Sequence, residues 1–343
     1  MNKMVIVGGG YAGSLAAIRM ARRGIGVTLI ETSPGLVERI RLHQVAAGEE
    51  VPLIPYSRIF RGLPVEVIRA RVTSIDRAGK VVATTAGDVV YDRLIYALGS
   101  RIEPGLPNAL TVERPATVVQ RLQKAHSVLV IGGGLTGIET ASEIVERFPR
   151  LDVTMADRGR IGASLSDGAR NHLHEWLTTR NVTLLENTEV SEASADVVLW
   201  CGSFTTSPIA GDAGLAVNGR GQILVDENLR SSDPSIFAIG DAAAFRDLRM
   251  ACATALPMAG YVADYLSGTT QRPFRFAYAL ICISLGRNDG IVQFVNADDS
   301  PRETFLSGRP AAWVKELICR YVVASIRLER IGVPFQWLKK QAA

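Results

Sequence analysis

No pair among the four cysteines, at positions 201, 252, 282 and 319, has the CxxC or CxxxxC spacing. A disulfide scaffold and close-spaced dithiol chemistry are therefore not expected, and a reducing cytoplasm is the expected compartment. Histidine is equally scarce, with four in the chain. His172 and His174 lie two apart on an expected helix, where they do not face each other. With no clustered Cys or Asp beside them they read as surface residues, and no metal site is expected. No uninterrupted apolar stretch approaches the roughly 20 residues of a membrane-spanning helix. The chain enters its first apolar run within a few residues, so no signal peptide is expected. Net charge is only +4, with basic residues dispersed except near the C-terminus, so nucleic acid is not an expected partner. What remains is a chain of 343 residues, 47% hydrophobic, long enough for two domains with sizeable cores.

Against this background one glycine pattern occurs twice. Gly8-Gly9-Gly10-Tyr11-Ala12-Gly13 and Gly132-Gly133-Gly134-Leu135-Thr136-Gly137 each follow a short apolar run and open an amphipathic segment. A single GxGxxG is weak in a chain with 32 glycines, and the surrounding elements supply the specificity. Met4 to Val7 reads as a buried parallel strand, and Ala16, Ala17, Met20 and Ala21 give a helix whose small residues permit close packing. The next apolar run, Val27 to Ile30, ends in Glu31, 23 residues beyond Gly8. The second copy repeats each part: Val128 to Ile131, Ile138 to Val145, Val153 to Ala156, then Asp157, 25 residues beyond Gly132. In such a unit a dinucleotide pyrophosphate lies over the helix N-terminus and the acid accepts the adenosine ribose hydroxyls. Two complete units point to two dinucleotide sites, the arrangement by which one enzyme holds a flavin and a visiting nicotinamide nucleotide.

The order of elements predicts an α/β fold with two Rossmann-like dinucleotide-binding domains, the nicotinamide domain inserted into the flavin domain, and a C-terminal helical tail. Residues 1–110 and 226–310 are expected to form the flavin domain, 111–225 the nicotinamide domain, and 311–343 an amphipathic segment. Ligand groups collect beyond the carboxyl ends of strands in such sheets. Asp241, after Ile239-Gly240, is so placed. Between Asn181 and Val197 only Val182 to Leu185 reads as a strand, where the first domain has a meander over Val65 to Val90. The second domain is thus expected to lack most of its antiparallel layer, leaving one sheet face for a partner or for the other domain.

Together with Leu98-Gly99-Ser100, Cys201-Gly202 and Ala238-Ile239-Gly240-Asp241, the paired motifs resemble the two-dinucleotide-binding-domain flavoprotein reductases. Within them the chain most resembles type II NADH dehydrogenases and related NAD(P)H:quinone oxidoreductases, including apoptosis-inducing-factor-like reductases. The stretch Arg41 to Gly48 and the tail segments Phe274-Arg275-Phe276, Ser284-Leu285-Gly286-Arg287 and Gly308 to Trp313 carry that branch. The resemblance implies FAD held by Gly8, Gly10, Gly13, Glu31, Gly99 and Asp241, with Val72 at the adenine. Arg39 or Arg41 would reach the pyrophosphate, and His43 to Gly48 would run beside the isoalloxazine. NADH is implied at Gly132, Gly134, Gly137, Asp157 and Gly202. Asp157 would disfavour the 2′-phosphate of NADPH, whereas Arg158 or Arg160 could turn toward it, so NADPH stays open. His43 is either a satisfied surface or loop histidine or a flavin-proximal one. Glu139 is either an acid offsetting the helix dipole or, by resemblance, the group between nicotinamide and flavin. Hydride transfer needs no side-chain proton donor, only orientation and electrostatics.

The implied electron acceptor is a quinone. The segment Ala253 to Ala259 around Pro257, expected at the acceptor site, lacks the glutamines that quinone-reducing relatives place there. Oxygen, a ferredoxin or a specialised aromatic metabolite is the alternative acceptor, and a nucleotide-sensing interaction protein is the non-enzymatic alternative. Sulfide oxidation by flavin-facing cysteines is not expected, since free cysteines are commonly buried as small hydrophobes. As a helix, the tail from Ala311 shows an apolar stripe of Trp313, Leu317, Tyr321, Ala324 and Leu328. Lys315, Glu316, Arg320, Arg327 and Arg330 lie mostly on the opposite arc, which Cys319, Val323 and Ile326 interrupt; Phe335, Trp337, Lys339 and Lys340 follow. Two readings stand: a peripheral anchor at the inner face of the membrane, or packing within the chain or in a homodimer.

Overall fold

The computed structural model describes residues 3–192 and 194–336. Its first sheet is five-stranded and parallel, in the order Ile236–Ala238, Arg93–Tyr96, Met4–Val7, Val27–Glu31, Val65–Arg69. The central strand Met4–Val7 is apolar throughout and buried throughout, as a strand covered on both faces requires. Helix α1 (Tyr11–Arg22) buries Leu15, Ile18 and Met20 completely, each worth roughly 1.5–3 kcal/mol relative to exposure. Of the expected meander, Val65–Arg69 belongs to this parallel sheet; Val72–Asp76, Val81–Thr84 and Gly87–Val90 form a separate antiparallel layer.

A second parallel sheet runs Thr183–Leu185, Asp152–Ala156, Ser127–Ile131, Val197–Trp200, with α2 (Leu135–Arg147) following its central strand. Among the described residues between its own strands there is no antiparallel layer. Leu129, Ile131 and Ala156 pack against Leu106, Val190, Ala195, Val198 and Trp200, from this unit's own flanking segments. Backbone bonds from Leu110 to Val198 and from Trp200 to Leu110, both 2.8 Å, fix the first of those segments along the sheet edge.

The chain passes between the sheets through Ser100–Ile102 and Phe204–Thr206, which pair as an antiparallel ribbon. Core membership changes at this ribbon rather than near residue 225. Ala210, Leu215 and Ile223 are buried in the first core, because the chain has already recrossed before Ile236–Ala238 joins the first sheet. Helix α3 (Cys252–Leu266) packs on α1.

The chain after α3 departs further from expectation. Leu280–Leu285, Asp289–Val295 and Pro301–Ser307 form a three-stranded antiparallel sheet. Ile281, Ile283, Leu285, Ile291 and Val295 are buried with the second core, so this segment packs on the second unit rather than on the first.

Helix α4 (Gly308–Arg330) covers that sheet and continues onto the first core through Val322, Val323 and Ile326. Its orientation corrects the expected stripe. The buried face carries Ala311, Lys315, Cys319, Val322, Ile326 and Glu329 at spacings of three and four, whereas Trp313 is 82% exposed, Leu317 67% and Tyr321 52%. The helix has two apolar stripes. It buries the one with smaller and β-branched residues, which allow close approach, and neutralises the two charges on it. Glu329 accepts from Arg19 of α1 at 2.7 and 2.8 Å and from the Phe335 backbone at 2.6 Å. Through this face α4 is part of the core. Trp337, Lys339 and Lys340 lie outside the described residues. No helix among the described residues is long and apolar enough to cross a membrane.

Candidate active site

Both glycine turns follow one steric plan. Gly8 (φ +98°) and Gly132 (φ +117°) occupy backbone conformations that L side chains rarely adopt. A Cβ on Gly13 would lie 1.9 Å from the Gly8 carbonyl oxygen, and one on Gly137 1.8 Å from that of Gly132, so each helix starts in contact with its own turn. At Gly10 and Gly134 a Cβ would meet nothing within 4 Å. Crowding at the first and third glycines with open space at the second, over a helix N-terminus, is the shape a pyrophosphate requires. The residues fit a dinucleotide at both turns.

The acids beyond the second strands are tied to these turns. Glu31 Oε2 accepts the Gly9 N–H at 2.7 Å, and Asp157 Oδ2 accepts that of Gly133 at 2.6 Å. Glu31 Oε1 also takes the N–H groups of Thr32 and Ser33, and Asp157 Oδ1 that of Gly159. Carboxylate oxygens keep further acceptor capacity for a ribose.

Asp241 follows Gly240 (φ +64°) and accepts from Ser100 Oγ at 2.6 Å. Burial pushes its carboxyl up, against the opposing pull of Ser100 and Arg39. The two candidate pyrophosphate arginines have different surroundings. Arg41 makes a two-pronged pair with Glu316 of α4 at 2.8 and 2.9 Å; burial opposes its charge, but Glu316 carries it above its usual value. Arg39 pairs with Glu113 at the surface and is the arginine within electrostatic reach of Asp241. Val72 is buried at the start of the antiparallel layer. Gly99 (φ +70°) and Gly202 follow strands that neighbour the two glycine turns. Pro257 is buried inside α3, where it offers no polar side-chain atom. Nearby Thr254 donates to the carbonyls of Arg249 and Ala251.

Glu139 and His43 come together, and two residues missed in the sequence complete their cluster. Glu139 Oε1 accepts from Lys315 Nζ at 2.8 Å, from the Ser284 N–H at 3.0 Å and from Ser284 Oγ at 3.2 Å. Its Oε2 lies 3.6 Å from His43 Nδ1, while His43 Nε2 lies 3.3 Å from Ser284 Oγ. All four residues are buried. Burial alone would raise Glu139, but Lys315, His43 and the Ser284 N–H hold it below the usual carboxylate range. Burial alone would lower Lys315, but Glu139 carries it above its ordinary value. His43 falls to about 4, chiefly through burial, with Lys315, Arg287 and Arg41 adding to the effect against Glu139. At neutral pH the cluster is therefore a Glu⁻–Lys⁺ pair beside a neutral histidine, and the surface-loop reading of His43 does not hold. Lys315 had a signal: it is the charged residue that falls in register with Ala311 and Cys319.

Burial pushes Cys201 and Cys282 up to about 12 and raises Cys252 and Cys319, so the cysteines are thiols. Cys252, Cys282 and Cys319, distant in sequence, all come within electrostatic reach of Lys315. His172 and His174 are half-buried and meet different acids, Asp289 at 3.2 Å and Glu186 at 3.4 Å.

Comparison with known proteins agrees with the two-turn architecture. The chain is 27% identical to an NADH dehydrogenase-like protein of Mycobacterium tuberculosis, covering 93% of each chain. It is 25% identical to the type II NADH:quinone oxidoreductase of Staphylococcus saprophyticus, covering 98% of each. Among solved structures, the sulfide:quinone oxidoreductase of Aquifex aeolicus superposes with a TM-score of 0.80 at 18% identity, over 97% of this chain and 93% of that one; this likeness is one of fold. The profile of the pyridine nucleotide-disulphide oxidoreductase family matches residues 2–260, and the chain belongs to that family.

Proposed function

We propose that this chain is an FAD-dependent NAD(P)H dehydrogenase that delivers electrons to a quinone. The observation that carries the reading is the same glycine turn, crowded at its third glycine and open at its second, built into two parallel sheets of one chain. In this reading the second unit is inserted into the first. FAD lies on Gly8, Gly10 and Gly13, with Glu31 at its ribose, Val72 at its adenine, Gly99 and Asp241 beyond the strand ends, and Arg39 as the cation for its phosphates. The nicotinamide nucleotide lies on Gly132, Gly134 and Gly137, with Asp157 at its ribose and Gly202 at the neighbouring strand end. Bound FAD would supply the two-electron acceptor that takes hydride from the nicotinamide and passes electrons to the second substrate. Glu139 orients the nicotinamide, His43 flanks the flavin, and Lys315 keeps Glu139 ionised and places a fixed positive charge in a buried site, where it counts for more than in water.

Quinone is the acceptor by analogy with the staphylococcal relative, which that protein's name states. Thr254 of α3 has its hydroxyl engaged, and Pro257 supplies no donor, which favours an apolar acceptor path and keeps oxygen, a ferredoxin or an aromatic metabolite as the second reading. We further assign the exposed stripe of α4, flanked by Arg309, Arg320 and Arg327, as a peripheral docking face for the cytoplasmic surface of an anionic membrane. Steady-state NADH oxidation with a quinone analogue, oxygen and a ferredoxin tests the acceptor. Turnover fastest with the quinone supports the reading, and faster turnover with either of the others overturns that part of it.

A further inference from the structure

The two glycine turns share their sterics and differ in charge. After Glu31 come Thr32 and Ser33, whose N–H groups and the Thr32 hydroxyl bond the Glu31 carboxylate. After Asp157 come Arg158, Gly159 and Arg160, two cations against one carboxylate. Both arginines are exposed and have no hydrogen-bond or ion-pair partner among the described residues.

Their loop is hydrogen-bonded on both sides. Asp157 N–H donates to Leu185 at 3.0 Å, Asn187 N–H to Gly159 at 2.9 Å, Thr188 N–H to Asp157 at 2.8 Å, and Gly162 N–H to Gly133 at 2.8 Å. Glu186, which follows the neighbouring strand Thr183–Leu185, accepts the Ile161 N–H at 2.7 Å and lies 3.4 Å from His174. Asp157 likewise bonds the N–H groups of Gly133 and Gly159. Both carboxylates therefore have partners of their own, while the two guanidinium groups have none. A hydrogen-bonded loop at the ribose end of a dinucleotide site, carrying two guanidinium groups with no partner among the described residues, has the charge and the donors that recognise a phosphate.

We propose that the loop from Asp157 to Ile161 is a phosphate subsite in which Arg158 and Arg160 bind the 2′-phosphate of NADPH, so that the second site takes the phosphorylated nucleotide in preference to NADH. This deepens the proposed function and rests on its assignment of the second turn to a nicotinamide nucleotide. It also reverses the simpler expectation from Asp157 alone. A 2′-phosphate carries about −1.5 to −2 charges at neutral pH, and two cations beside it outweigh one carboxylate that is already hydrogen-bonded to the backbone.

The test is calorimetric titration of the FAD-loaded protein with ADP-ribose and with 2′-phospho-ADP-ribose at low and high salt. We expect the phosphorylated probe to bind roughly tenfold more tightly at low salt, the effect of about one charge-assisted hydrogen bond, with the advantage shrinking as ionic strength rises. The Arg158→Ala/Arg160→Ala protein, which loses only exposed side chains, should retain ADP-ribose binding and lose the advantage. Equal binding of the two probes, or an advantage that survives the double substitution, overturns the subsite while leaving the nicotinamide site standing. Failure of both probes to bind overturns the nicotinamide assignment and the subsite with it.

Discussion

Replacing Lys315 by Met leaves Glu139 buried with its ammonium partner gone. The 2.8 Å separation of Nζ and Oε1 corresponds, at an effective dielectric near 20, to about 6 kcal/mol of attraction before desolvation. Much of that attraction offsets the burial of the two charges, but the single substitution removes the attraction while leaving the carboxylate buried. Such losses run to about 3–5 kcal/mol. The Ser284 N–H still bonds the carboxylate, which places the expectation near the lower end, about 3 kcal/mol, or roughly a 4 °C fall in Tm for a chain of this size. The deficit should shrink with acidity. Lys315 contributes to holding down both Glu139 and His43, so without it both groups take up a proton at higher pH in the folded protein, which favours folding as the pH falls. Thermal unfolding of the holoprotein at pH 8 and pH 5.5 measures both effects. The Glu139→Gln/Lys315→Met protein should lose clearly less than the sum of its single substitutions. A Lys315→Met protein as stable as the parent at pH 8, or one whose deficit grows in acid, would refute the buried-pair reading.

Other consequences follow from the same geometry. His43, held near pH 4 in the fold and near 6.5 when unfolded, stays neutral while the unfolded chain protonates; stability should therefore rise with pH between about 4 and 6.5, by up to roughly 3 kcal/mol. His43→Gln should flatten that slope in urea titrations across the window. Gly134→Ala should fold normally yet bind ADP-ribose far more weakly, because its Cβ enters open space, whereas Gly137→Ala should lose several kcal/mol of stability, its Cβ falling 1.8 Å from the Gly132 carbonyl oxygen; paired melting curves and titrations separate the two. Truncation before Gly308 should abolish folding and FAD retention by removing Val322, Val323, Ile326 and Lys315 from the interior. Replacing exposed Trp313, Leu317 and Tyr321 with Ser should leave Tm nearly unchanged while reducing sedimentation with anionic vesicles at low salt.

What the sequence disclosed was local. Each glycine turn with its strand, helix and acid lies within some 30 consecutive residues, so pattern and spacing were enough to place Gly8 to Glu31 and Gly132 to Asp157. Glu139 and His43 were visible as candidates because each sits beside a recognisable motif. Ser284 was not, since it lies 145 residues from Glu139 and such a contact leaves no periodic trace. In α4 the periodicity was present but double: Trp313, Leu317 and Tyr321 make a better apolar stripe than Ala311, Lys315 and Cys319. The protein nevertheless buries the second, because Glu139 and Arg19 wait on the other side for Lys315 and Glu329. The antiparallel sheet from Leu280 to Ser307 went unassigned to the second core for a similar reason, its contacts being with α2, far earlier in the chain.

The most direct measurement is anaerobic mixing of the purified, FAD-loaded protein with NADH or NADPH, following the flavin's visible absorption. The two-site account predicts that the band bleaches within the mixing experiment and returns when a quinone is added. A protein that neither carries nor takes up FAD, or whose bound flavin stays oxidised with both nucleotides, would contradict it.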